Sequence, residues 1–214
     1  GAGNLLGEEQ SGEIAAVGLE LYNHLLGQAV NSLRGKPVAE SPSQVTVTLP
    51  MAAHLPAAYV PDEGLRLRAY RELAACASEP ELEKRVRELV DRFGPLPQPA
   101  RGLVLSLRVR LLAAACDALA VETEPNRRSI TIQLPQAHGL DLPSVVRQYR
   151  SWLSSSATRL HLSPPASAGR LDVQRAGGAS VVWEGSEWVD VLLKVLRELG
   201  RLARSARRPQ AEAV

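Results

Sequence analysis

Residues 78–97 read SEPELEKRVRELVDRFGPLP, and the spacing of their apolar positions sets the reading of everything around them. Ser78 offers the hydroxyl of a helix N-cap. Pro80 is tolerated in a first turn whose N–H groups have no partner inside the helix, and Glu81 stands where a capping box needs it. Leu82, Val86, Leu89 and Phe93 then share one side at about 100° per residue, with Val90 at its edge. That side is expected to be buried. Glu88 and Asp91 fall on the opposite side, where the helix's own packing requires no acidic residue. Local pairs of Glu81 with Arg85, Arg87 with Asp91 and Glu88 with Arg92 would use these charges, at about 0.2–0.5 kcal/mol each. A partner surface would use Glu88 and Asp91 differently. Gly94 supplies the left-handed residue that ends a helix, and Pro95 prevents its continuation.

On either side of this helix the spacing predicts another. Asp62 is placed to cap a helix with Leu67, Tyr70, Leu73 and Ala74 on its inner side. After the Pro-rich turn, Leu103, Val104, Leu107, Leu111 and Ala115 mark another, with Arg101, Arg108 and Arg110 off the stripe. The three are expected to pack together. Alternation predicts a strand at 45–49 and two at 120–124 and 129–134 that form a hairpin. Asp141 is placed to cap a helix over 142–153 whose apolar face includes Val145, Val146, Tyr149 and Trp152 or Leu153. Short strands come next at 158–162, 170–174 and 180–183. A last helix from Ser186 buries Val189, Leu192, Leu193, Leu196 and Leu199.

Helices interleaved with grouped, mainly antiparallel strands give an α+β domain. GKPVAESPSQ at 35–44 has linker composition. The expected organisation is a loop and helix over 1–36, a linker at 37–44, a compact domain over 45–206 and a featureless tail at 207–214. Residues from Arg201 onward are basic and expected to fray without a role.

Composition narrows the function classes. Hydrophobic residues make up 45% of 214, enough for a sizeable core. Aromatics are only 4%, too few for a base-stacking surface, and a net charge of +2 gives little drive toward DNA. Direct nucleic-acid binding is therefore not expected. Cys76 and Cys116 sit in apolar helical contexts without metal-ligand spacing, as buried thiols do. No apolar run approaches a membrane span, and a cytoplasmic protein is expected. His24, His54, His138 and His161 are scattered, so no metal site is predicted. Serines 154–156 lie in a polar run expected to be flexible, and no nucleophile elbow surrounds them. No catalytic residue and no cofactor is assigned.

A family resemblance enters at the N-terminus, where GAGNLLGEEQSG, residues 1–12, reads as the middle of a longer protein. With Gly1, Gly3, Leu6, Gly7, Gln10, Ser11 and Gly12, it resembles the translocation motif shared by the RecG helicase and the bacterial transcription-repair coupling factor, Mfd. From Leu55 onward the likeness is to the latter. Leu55-Pro56, Tyr59-Val60-Pro61-Asp62, Arg66-Leu67, Tyr70-Arg71 and Arg92-Phe93-Gly94-Pro95-Leu96-Pro97 look like signatures of that family's C-terminal domain, and Glu187-Trp188-Val189 agrees near the end. Pro61, Asp62, Arg66, Tyr70, Arg92, Phe93, Gly94 and Pro95 are the structural motif of this resemblance.

The resemblance implies a regulatory interaction domain that docks on the same protein's UvrB-like N-terminal module. There it hides the surface that recruits UvrA until stalled RNA polymerase is engaged. It also matches Glu88 and Asp91 to acidic positions that meet a basic patch on that module. An alternative reading makes residues 1–34 the functional part, a segment coupling an ATP-dependent DNA translocase to its motor. The chain has no Walker lysine of its own, so the ATPase halves of such a parent lie elsewhere.

Overall fold

A computed structural model describes residues 45–124, 129–165 and 187–207. The expected loop and helix of 1–36, with all seven motif residues from Gly1 to Gly12, lie outside these residues. So do the linker 37–44, the strand candidates 170–174 and 180–183, and residues 208–214. The described elements run β1 (Thr46–Thr48), α1 (Glu63–Ala74), α2 (Glu79–Phe93), α3 (Gln98–Ala115), β2 (Ala120–Thr123), β3 (Ile130–Gln133), α4 (Leu142–Gln148), β4 (Leu153–Ser155), β5 (Arg159–Leu162) and α5 (Glu187–Arg207). They form the expected α+β arrangement.

The strands lie in the order β1-β2-β3-β5-β4. β1 runs parallel to β2 and every other pair is antiparallel. The expected β2–β3 hairpin is present, with Val121 opposite Ile132. Because side chains alternate across a sheet, one face gathers Val121, Ile130, Ile132, Leu160, Leu162 and Leu153, all buried. Thr48, Glu122, Thr131, His161 and Ser154 stand in register on the other face.

Two apolar clusters share α3. Its Ala100, Leu103 and Leu107 pack with Leu55, Leu73, Leu82 and Leu89 of the helical layer. Its Val109, Leu112, Ala113 and Cys116 pack with the sheet and with Leu192, Leu196 and Leu199 of α5. The single stripe predicted for α3 is therefore incomplete: Val104, Leu111 and Ala115 are half-buried, while Val109 and Leu112, off that stripe, are buried. A helix between two layers must be apolar on more than one side. Contact with the segment leading to α1 is close enough to require glycine. A Cβ on Gly102 would lie 2.1 Å from the Ala52 carbonyl oxygen, and His54 N donates to Pro99 O at 3.1 Å.

Three expectations are corrected. The helix at 142 ends at Gln148, because Trp152 N and Leu153 N both fold back on Tyr149 O, at 2.8 and 2.9 Å. That turn delivers Leu153 to β4, where it pairs with Leu162, and Ser154 and Ser155 are strand residues opposite His161 and Leu160. Trp152 and Leu153 are buried by the sheet core, not by a helix face. Leu67 points outward and is 43% exposed, with Ala69 and Leu73 taking the inner side of α1. The chain also stays helical to Arg207: Ala203 is buried, Arg201 pairs with Glu198, and Arg207 pairs with Asp117, whose positive φ of 56° ends the turn after α3. The domain's last helix thus runs one residue beyond the expected boundary at 206.

Candidate interaction surface

The N-terminus of α2 is held as its sequence dictates. Ser78 Oγ accepts from Glu81 N at 3.5 Å, and Glu81 Oε2 accepts from Ala77 N at 2.9 Å. The reciprocal bond of the capping box is therefore made one residue earlier than the pattern predicts. Leu82 and Leu89 are buried and Val86, Val90 and Phe93 half-buried, so Phe93 closes the stripe from its rim and not from its centre. Its ring lies 5.9 Å from that of Tyr59, centroid to centroid, and the Arg92 guanidinium stands 5.2 Å over it.

At the other end Gly94, with φ of +84°, stops the helix while its N–H still reaches Val90 O at 2.9 Å. Tyr59 donates its hydroxyl to Gly94 O at 2.8 Å, a carbonyl that the helix end leaves open, and lies 3.4 Å from Leu89 O. Beyond Pro95, Leu96 O accepts from Arg101 Nε at 2.9 Å. The other motif closes on itself in the same way. Asp62 Oδ1 caps α1 through Leu65 N at 2.7 Å, Arg66 Nη1 donates to Val60 O at 2.8 Å and Pro61 O at 3.3 Å, and Tyr70 OH accepts from Leu55 N at 2.7 Å. Burial pushes the Tyr70 phenol above its ordinary value. The two motifs meet at Tyr59 and Phe93, so together they fix the end of α2 against the segment before α1.

This scaffold turns the outer side of α2 to solvent. Glu88 is exposed and accepts from Arg85 Nη1 at 2.7 Å, in place of the expected pair with Arg92. Asp91 is exposed and has no ion-pair partner among the described residues, and the expected Arg87 and Glu81 pairs are not among those formed there. A groove of about 300 Å³ runs between α1 and α2, with Arg68, Glu72, Arg85, Glu88 and Phe93 among its lining residues. Of the charged members of this groove the sequence singled out Glu88 for a partner and Arg92 as a motif residue. Arg68 and Glu72, paired at 3.0 Å, come beside Glu88 only through the packing of two helices. Both Glu88 and Asp91 face water, so neither is desolvated as acid–base catalysis requires. What they can do is accept charge-assisted hydrogen bonds from a partner's cations.

A second polar cluster lies on the sheet and was invisible in the sequence. Thr131, buried on β3, bonds Glu124 through its hydroxyl and lies 3.0 Å from His161 Nδ1, which is 4.0 Å from Glu124 Oε1. Its members come from three different strands or their ends, and the contacts satisfy the buried hydroxyl. Among the described residues, no three or more His, Cys, Asp and Glu gather as a metal site would require, and no helix is long and apolar enough to cross a membrane.

Residues 49–142 match the TRCF domain family. The chain carries a TRCF domain. Over 188 residues it is 37% identical to the transcription-repair-coupling factor of Mycobacterium tuberculosis, which covers 83% of this chain and 14% of the relative. To the Escherichia coli transcription-repair-coupling factor it is 45% identical over 114 residues, 51% of this chain and 10% of the relative. The chain thus spans a small part of the curated relatives it matches. The crystal structure of a C-terminal domain of transcription-repair coupling factor superposes with a TM-score of 0.52 at 17% identity, over 74% of this chain and 95% of that one, a likeness of fold. The resemblance read from the motifs therefore stands. The TRCF domain match takes in both motifs, α2 with Glu88 and Asp91, and the groove beside it.

Proposed function

We propose that this TRCF domain is a non-catalytic regulatory module of a transcription-repair coupling factor. It docks through the Glu88 and Asp91 side of α2 on the same protein's UvrB-like N-terminal module and masks the surface that recruits UvrA. Engagement of stalled RNA polymerase releases it, in the cytoplasm where the parent works. The observation that carries this reading is Asp91, an exposed carboxylate without an ion-pair partner among the described residues, one turn from Glu88 on a helix whose opposite side is anchored in the core.

Glu88→Lys with Asp91→Lys tests it. Reversing charges in a docked interface costs roughly 2–5 kcal/mol of affinity, whereas exposed pairs contribute about 0–1 kcal/mol to folding. Calorimetry with the separately purified N-terminal module is expected to show weakened binding at unchanged circular dichroism. In the full-length parent the same change is expected to increase UvrA binding. Equal affinity for the original and the reversed chain at low salt would return both carboxylates to a merely solvated face.

A further inference from the structure

On the other side of α2 the molecule carries a different surface. Glu79 and Glu88 stand about half a turn apart around the helix at 100° per residue, so the groove beside Glu79 faces away from the Glu88 side. This groove encloses about 510 Å³ where α5 packs beside α3. Lys194, Arg197, Arg201 and Arg204 succeed one another along it at helical spacing, over a floor that includes Leu112, Ala115 and Gly200.

Two of the four cations are already engaged. Arg197 Nη2 bonds Glu79 Oε1 at 2.8 Å, and Arg201 bonds Glu198. Lys194 and Arg204 are exposed and have no ion-pair partner among the described residues. Cations in a last turn answer the helix dipole, which accounts for Arg204; Lys194 stands near the middle of α5, outside the reach of that effect.

We propose that this groove binds a short acidic peptide segment, its carboxylates on Lys194 and Arg204 and an apolar side chain between them over Ala115 and Gly200. These two cations are about 15 Å apart at 1.5 Å rise per residue, the span of roughly five residues of extended chain. Glu79 and Glu198 among the cations disfavour a nucleic-acid backbone, whose evenly spaced phosphates would be forced against them. A peptide can place an uncharged residue there. The site is independent of the docking proposed for Glu88 and Asp91.

Fluorescence anisotropy on the full chain tests it with a fluorescein-labelled Glu-Leu-Glu-Glu-Leu-Asp peptide, its Gln and Asn counterpart, and a labelled duplex oligonucleotide. The acidic peptide is expected to bind saturably at low salt. Lys194→Glu with Arg204→Glu should weaken it by about tenfold or more, Lys194→Gln with Arg204→Gln by less at unchanged circular dichroism, and Glu88→Lys with Asp91→Lys not at all. No saturable binding, equal binding of the amide peptide, or equal affinity in both groove variants would overturn the proposal. Tighter binding of the duplex, with displacement of the peptide, would overturn it in favour of nucleic acid.

Discussion

Gly102→Ala tests how closely the segment before α1 rests on α3. Inside a helix, alanine is intrinsically better than glycine by about 0.8–1 kcal/mol, so an unobstructed site would gain stability. Here the new Cβ would stand 2.1 Å from the Ala52 carbonyl oxygen, and reaching the 3.4 Å of ordinary contact takes a displacement of about 1.3 Å. The obstacle is backbone, which has no rotamer to offer. Moving it strains the His54 N to Pro99 O bond and opens space beside Ala53 and Leu55, both buried against α3. Overpacking of this kind costs about 1–3 kcal/mol, and it outweighs the propensity gain. The expected outcome is a lower urea midpoint at unchanged slope. Because the same segment carries Tyr59, whose hydroxyl holds the end of α2, the docking proposed for Glu88 and Asp91 is expected to weaken as well. A midpoint raised by the propensity gain would refute the close approach, and with it the account of how α2 is positioned.

Phe93→Ala is expected to cost about 2 kcal/mol, below the 3–5 kcal/mol of a fully buried ring, since Phe93 is half-buried against Tyr59; an unchanged denaturation midpoint would contradict that contact. Burial holds the His54 imidazole below its ordinary value of 6.5, and its Nδ1 has no hydrogen-bond partner among the described residues. The unfolded chain therefore binds a proton that the folded one resists as pH falls below 6.5, and stability should decline from there toward the folded value. Denaturant titrations at neutral pH and near about pH 5.5 should show a smaller decline in His54→Asn than in the original chain; an equal decline would refute the assignment. The chain alone is expected to turn over no ATP, having no Walker lysine; phosphate release above a matched blank, retained through purification, would refute it.

Legibility in the sequence tracked the range of the interactions involved. The limits of α2 were readable because Ser78, Glu81, Gly94 and Pro95 act within a turn or two of themselves, and the β2–β3 hairpin because alternation is a local signal. The inner face of α5 was readable as well, since a long helix over a core repeats its apolar residues at its own period. Glu88 and Asp91 could be placed on the outer side of α2 for the same reason, yet helical spacing could not choose Arg85 as the partner of Glu88, because several cations lie within reach on one helix. Tertiary structure alone decided what required a second element. It buried α3 on two sides, turned Leu67 outward, and moved Leu153 from a helix face to a sheet edge, although the residue is apolar and buried in either reading. It brought Arg68 and Glu72 beside Glu88, Arg207 to Asp117, and Lys194 with Arg204 into one groove. Propensity and periodicity act along the chain and determine where elements begin, end and hide their apolar side; which polar groups then face one another depends on how those elements pack, and no local pattern encodes it.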